Sequence, residues 1–213
     1  MSKCIIIAPL YQGEAKEYLQ ADAGDMLICA DGGYDAAIAH GLQPDLVIGD
    51  FDSMPFEHVQ GCETIRLPVH KDDTDMVVCL EEGRRRGYTS FRIAGCLGGR
   101  LDHTISNLQC LYDCALRGED AWMFDGQNMV SVKLPGAYVF PKREGWKFSL
   151  LSYTGQVSGV QLRGTVWELT DASLSNRYPL GVSNEIEAPQ AELSFREGAL
   201  LVLYSKDMSF VTK

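Results

Sequence analysis

Aspartates in this chain stand where short apolar runs end, and most of them sit beside glycine. Asp31 closes residues 26–30 in Ala30-Asp31-Gly32-Gly33, and Asp50 and Asp52 follow residues 46–48 in Pro44-Asp45-Leu46-Val47-Ile48-Gly49-Asp50-Phe51-Asp52-Ser53. Asp72, Asp73 and Asp75 surround Thr74 just after Lys71, and Asp102 follows Gly98-Gly99-Arg100-Leu101. The Asp50/Asp52 pair makes the sharpest chemical statement, because in extended backbone residues i and i+2 project to one side. Two carboxylates about 4 Å apart repel by roughly 4 kcal/mol at an effective dielectric near 20. A divalent cation relieves that repulsion, and hard oxygen donors favour Mg²⁺, which keeps waters and recruits phosphate oxygens. Lys71 and Arg100 are the matching cations, Arg being able to clamp a phosphate with two parallel hydrogen bonds. Gly98-Gly99 before Arg100 would let the backbone approach a phosphate closely. Gly32-Gly33, between a strand and a helix, could offer backbone N–H groups to the same end.

These residues need a scaffold that brings strand ends together. Residues 4–8, 26–30, 46–48, 64–67, 91–94 and 121–124 read as strands, and helical patterns lie between several of them. Residues 74–86 open with a Thr/Asp pair suited to a helix N-terminus. Glu81/Arg85 and Glu82/Arg86 stand four apart, the spacing of helix-surface ion pairs. Leu101, Ile105, Leu108, Tyr112 and Ala115 form a helical stripe over residues 101–116, with Gly118 as a stop. Such alternation predicts a mainly parallel, Rossmann-like α/β domain, in which ligands bind beyond the carboxyl ends of the strands. The pattern changes at Leu134-Pro135-Gly136, after which short runs are punctuated by glycines. Residues 1–133 are therefore expected to be the α/β domain and residues 134–213 a smaller all-β sandwich.

Composition narrows the function. The chain has 213 residues, 46% hydrophobic and 23% charged, as an ordinary globular protein has. A formal net charge of −10 argues against nucleic acid as a partner. It also means that any bound phosphate must be neutralised locally, by a metal ion and a few placed cations. No window approaches the roughly 18 apolar residues of a membrane span, and the N-terminal run is too short for a secretory signal. A cytoplasmic protein is expected. The seven cysteines form no CxxC pair and no zinc pattern, and read as reduced core residues. Neither a Walker A loop nor a Gly-x-Gly-x-x-Gly fingerprint is present.

Taken in order, Ala-Asp-Gly-Gly (30–33), Pro-Asp-x-x-x-Gly-Asp-Phe-Asp-Ser (44–53), Lys-Asp-x-Thr-Asp (71–75), Gly-Gly-Arg-x-Asp-His (98–103) and Ser-Asn-Glu (183–185) resemble the thiamine pyrophosphokinase family across nearly the whole chain. The resemblance implies an α/β domain followed by a β-sandwich, working as a homodimer with active sites at the subunit interface. It implies Mg²⁺-dependent transfer of pyrophosphate from ATP to the thiamine hydroxyl, giving thiamine diphosphate and AMP. On it, Asp50, Asp52 and Asp75 match acidic positions around Mg²⁺ and the ATP phosphates. Asp31, Gly32, Lys71, Thr74 and Arg100 match the nucleotide side, and Asp102 is the candidate proton acceptor. Ser183 and Asn184 match a thiamine-binding segment, and Trp167 resembles an aromatic that stacks on thiamine across the dimer. A Trp face suits a flat cation, and a net negative protein favours a cationic substrate.

Two other readings stay open on the residues alone. A strand followed by Asp-x-Asp also resembles the nucleophile motif of haloacid-dehalogenase-type phosphatases, although Met54 replaces their Thr or Val and the motif follows the third strand rather than the first. A nucleotide-sensing or thiamine-binding module without turnover is the non-enzyme alternative.

Overall fold

The computed structural model describes residues 2–51, 58–68 and 72–207. The chain divides into two compact units, Met1–Gly126 and Gln127–Lys213.

In the first unit the strands are β1 (Cys4–Ile7), β2 (Met26–Ala30), β3 (Leu46–Gly49), β4 (Glu63–Arg66), β5 (Ser90–Ala94) and β6 (Asp120–Phe124). They lie side by side in the order β4-β3-β2-β1-β5-β6, and every pairing among them is parallel. All residues of β1, β2 and β3 are buried. That is why they read as unbroken apolar runs: a parallel strand covered on both faces has no polar side to show. Ile5, Ile7, Leu27, Cys29 and Val47 fill one face together with Tyr11, Leu19 and Tyr34. Edge strand β4 differs most, with Glu63 and Arg66 exposed.

The helices are α1 (Lys16–Leu19), α2 (Gly33–Ala39), α3 (Asp75–Arg85) and α4 (Leu101–Leu116). Helix α3 starts where Thr74 caps it and ends in Arg84 and Arg85, a charge order the helix dipole favours. Of its two expected ion pairs, Glu82 with Arg86 forms and Glu81 with Arg85 does not. Glu81 meets Arg84 rather than Arg85, at 2.8 Å, whereas Glu82 meets both Arg85 and Arg86 at 2.6 Å. Arg84 also reaches the neighbouring elements, meeting Glu119 at 2.8 Å and Asp113 at 3.0 Å.

Helix α4 has the expected ends, but it buries a different stripe. Asn107, Cys110, Leu111 and Cys114 face inward, whereas Leu101 and Ile105 are exposed. The inward set is spaced i, i+3, i+4, i+7 as a helix face should be. Two of its members are cysteines, which pack as small hydrophobes, and one is an asparagine.

The second unit is antiparallel throughout. Its strands are β7 (Asn128–Lys133), β8 (Gly136–Pro141), β9 (Lys147–Ser152), β10 (Gln156–Arg163), β11 (Leu169–Ser175), β12 (Gln190–Phe195) and β13 (Leu200–Ser205). Strand β13 lies between β7 and β9, and a separate four-stranded sheet runs β11-β10-β12-β8. Ala191, Leu193 and Phe195 alternate inward on β12, as Leu200, Val202 and Tyr204 do on β13. Phe148 packs with Phe140 and Tyr204 at centroid distances of 5.2 and 5.1 Å. The unit begins at Gln127, ahead of the expected break after residue 133, because β7 pairs with β13 and so belongs to the second unit.

Candidate functional site

Strand β1 is flanked by β2 on one side and β5 on the other, so the order of connection reverses there. Open parallel sheets bind ligands at such a point, outside the carboxyl ends of the strands. Asp31 follows β2, Asp50 follows β3, and the Gly98–Asp102 segment follows β5. Helix α3 follows β4 and so starts at the same edge, with Thr74 and Asp75.

The backbone at this edge is held in conformations that most residues avoid. Asp31 has φ 44° and Phe51 has φ 59°. Non-glycine residues in that region cluster at functional sites. The Asp31 N–H donates to the Ile48 carbonyl at 2.8 Å, and the Leu67 N–H to the Gly49 carbonyl at 2.8 Å, extending the ladder past the strand ends. Gly49 makes room for the aspartate. A Cβ there would lie 2.8 Å from Asp31 Oδ1 and 2.9 Å from Asp31 Cα. Asp31 therefore rests on the end of β3, directly before Asp50, and both side chains are half-buried.

Gly33 is fixed by packing instead. A Cβ there would stand 2.1 Å from the Ile7 carbonyl oxygen, so this glycine lets α2 close onto β1. Asp45 belongs to the opposite end of the sheet, where its Oδ2 accepts the Leu27 N–H at 2.8 Å. Thr74 Oγ1 accepts the Val77 N–H at 3.4 Å as the cap of α3, leaving half-buried Asp75 in the first turn. Asp52 and Lys71 lie outside the described residues. Among the described residues, no group of three or more His, Cys, Asp or Glu is arranged to hold a metal ion. Asp50 and Asp75 nevertheless supply the hard, half-buried carboxylate oxygens that suit Mg²⁺.

On the β5 side, Gly98 and Gly99 take φ 88° and 63°, as a sharp turn ahead of a helix requires. Thr104 Oγ1 donates to the Gly98 carbonyl at 3.0 Å, and buried Asn107 donates to the Cys96 carbonyl at 2.7 Å. These two residues fix the turn, and neither was among the expected site residues. The available signal was an asparagine on an otherwise small, apolar helix face.

Arg100 forms a fork with Asp102, Nε to Oδ1 at 3.1 Å and Nη2 to Oδ2 at 2.6 Å. That hydrogen bond holds the Asp102 carboxyl down to about 2. The fork makes Asp102 the partner that orients the Arg100 guanidinium.

In the second unit, Trp167 is 61% exposed on the connection between β10 and β11. Ser183 is exposed with φ 61°, and its N–H donates to buried Ser149 at 2.9 Å. Asn184, by contrast, is buried, and its carboxamide bonds to the Trp167 backbone.

A parallel sheet with a carboxylate-rich switch point, joined to an antiparallel sandwich that presents an exposed tryptophan, defines a class of α/β enzyme with an added ligand-binding β domain. The model of the thiamin pyrophosphokinase catalytic domain matches residues 18–123, and that of the same family's vitamin B1 binding domain matches residues 138–200. The chain belongs to the thiamin pyrophosphokinase family, enzymes that transfer pyrophosphate from ATP to thiamine. It is 27% identical over 192 residues to the thiamine pyrophosphokinase of Bacillus subtilis, covering 87% of this chain and 90% of the relative. Among solved structures, the Bacillus subtilis thiamine pyrophosphokinase superposes with a TM-score of 0.87 at 24% identity, covering 98% of this chain and 100% of that one. The Geobacillus thermodenitrificans thiamin pyrophosphokinase gives 0.84 at 27%, covering 98% and 99%.

Proposed function

We propose that the edge beyond β2, β3 and β5 binds ATP with Mg²⁺, and that Trp167 and Ser183 receive thiamine. The observation that carries the reading is the seating of Asp31 on Gly49, directly before Asp50, with Asp31 and Phe51 both in left-handed backbone. That arrangement concentrates negative charge where a phosphate-bound cation is required.

Asp50, Asp52 and Asp75 would hold Mg²⁺, which when bound neutralises charge on the phosphates and keeps them in line. Arg100 spends Nε and one Nη2 hydrogen on Asp102, and the guanidinium's other donors are free to meet phosphate oxygens. Lys71 adds a second cation. Gly32, half-buried at the start of α2, leaves room for the nucleotide beside Asp31. Thr74 fixes the first turn of α3 and with it Asp75. The thiamine hydroxyl oxygen attacks the β-phosphorus of ATP, the bond from that phosphorus to the α-phosphate oxygen breaks so that AMP leaves, and the hydroxyl proton passes to a carboxylate or to water, a step that rests mainly on positioning and charge stabilisation. The indole of Trp167 stacks on the cationic substrate.

Exposed Tyr178, Leu180 and Val182 support a homodimer in which a second copy covers these side chains. No helix among the described residues is long and apolar enough to cross a membrane, in keeping with a cytoplasmic enzyme.

The test is formation of AMP and thiamine diphosphate from ATP and thiamine, with and without Mg²⁺. Equal amounts of both products, lost without the metal, are expected. Release of inorganic phosphate without thiamine diphosphate would sink the reading.

A further inference from the structure

We infer that Asn184 is a positioning residue whose work is to hold Trp167 as a rigid platform, and that it makes no contact with thiamine. The inference rests on the reading of Trp167 as the thiamine platform.

Residues 165–167 run antiparallel beside 184–186, with a bridge between Thr165 and Ile186 and the Val166 N–H donating to the Glu185 carbonyl at 3.0 Å. Side chains alternate along the second segment. Ser183 and Glu185 are exposed, while Asn184 and Ile186 point inward at 6% and 5% exposure. Neighbours in the Ser-Asn-Glu motif therefore face opposite ways, and Asn184 faces the fold.

Its carboxamide is committed to backbone. Oδ1 accepts the Trp167 N–H at 3.1 Å and the Glu185 N–H at 2.8 Å. Nδ2 donates to the Trp167 carbonyl at 2.8 Å. The amide orientation follows from the partners, since the opposite flip would set donor against donor and acceptor against acceptor. Thr165, 4% exposed, adds its Oγ1 as a second donor to the same carbonyl at 3.0 Å. Glu168 closes the loop by accepting the Gly164 N–H at 2.8 Å.

Two buried polar side chains are thus devoted to the backbone of one residue whose own ring stands in solvent. A structural tryptophan would be buried by its ring. A platform needs the reverse, an open ring on a fixed backbone. Fixing it beforehand removes an ordering cost from binding, worth roughly tenfold in affinity for one side chain and its loop.

The three tryptophans, at 122, 146 and 167, permit a direct test. Protein labelled with 5-fluorotryptophan gives one ¹⁹F resonance for each, and the line missing from Trp167→Phe is that of Trp167. In Asn184→Ala this line is expected to sharpen and move toward the position of free fluorotryptophan while the other two hold. Calorimetry on the same variant should show thiamine affinity falling roughly tenfold and ATP affinity unchanged. If thiamine affinity falls but the Trp167 line stays in place, Asn184 touches the ligand itself and the inference is wrong. It is equally wrong if the line moves and thiamine affinity holds, although Trp167→Ala weakens thiamine. Unchanged thiamine affinity in Trp167→Ala would remove the platform reading on its own evidence, whatever Asn184 does. Should Asn184→Ala displace all three lines, Asn184→Asp carries the comparison. That variant keeps both acceptor bonds, loses the donor to the Trp167 carbonyl, and is expected to displace the Trp167 line alone.

Discussion

In the first unit the residues proposed to meet phosphate stand at the ends of buried parallel strands, and the strands themselves aim them. Ladder bonds from the Asp31 and Leu67 N–H groups fix the backbone at the ends of β2 and β3, and Gly49 leaves space for Asp31. In the second unit Trp167 sits on a connection between antiparallel strands, where no strand end dictates its direction. There, side chains from elsewhere in the unit, Thr165 and Asn184, supply the order that the backbone lacks. At the ends of β2 and β3 position is set by strand ladders and a glycine, and at Trp167 by the commitment of buried polar side chains. Substitutions should therefore fail differently in the two.

The largest effect is expected at Asp50. Asp50→Asn keeps the shape and removes the charge, and kcat should fall by roughly 10³ or more, as when a group stabilising developing charge is lost. A thermal melt of the variant separates lost chemistry from lost fold. Gly49→Ala comes next. Its new Cβ would overlap Asp31, so kcat/KM for ATP should drop by roughly 10², and stability by about 1–3 kcal/mol, the usual cost of overpacking. The mirror experiment is Thr165→Val in the second unit, which deletes one of two donors to the Trp167 carbonyl. Its KM for thiamine should rise several-fold, with kcat and the KM for ATP held. A change in ATP parameters from Thr165→Val, or in thiamine parameters alone from Gly49→Ala, would break the contrast between the units.

The same contrast explains what could be read in the sequence. Strands β1, β2 and β3 were legible because full burial leaves no polar position to blur the run. The start of α3 was legible because Thr74 is a cap with a local partner three residues on. Asp31 and Asp50 stood out because each ends an apolar run beside a glycine, Gly32 and Gly49, whereas the space that Gly49 leaves for Asp31 depends on the pairing of β2 with β3. The face of α4 misled, since hydropathy favoured Leu101 and Ile105 over Cys110, Cys114 and Asn107, and only the sheet beneath decides between two adjacent stripes. The role of Asn184 was out of reach for a related reason. Its partner lies 17 residues away, and that register is set by pairing between segments rather than by any local spacing.

The last effect concerns acid stability, and it sharpens the comparison from the side of the scaffold. Arg85 and Arg86 donate to Glu82 at 2.6–2.7 Å, and Arg86 reaches on to Glu63 of β4 at 2.8 Å. The hydrogen bonds from Arg85 and then Arg86 outweigh burial and hold the Glu82 carboxyl down to about 2, against an ordinary 4.5. A depressed carboxyl adds stability that is complete above about 4.5 and is lost as pH falls toward about 2. Arg85 is 68% exposed, so solvent screening trims the gain to on the order of 2 kcal/mol. Urea unfolding followed through Trp122, which lies in the first unit, should show Glu82→Gln destabilised by about that amount at neutral pH. The gap from wild type should close as pH drops from 4.5 to 2. Trp146 and Trp167, in the second unit, should report no such closing gap. If they do, the ion-pair network of α3 stabilises both units together and the division drawn between them is not an energetic one.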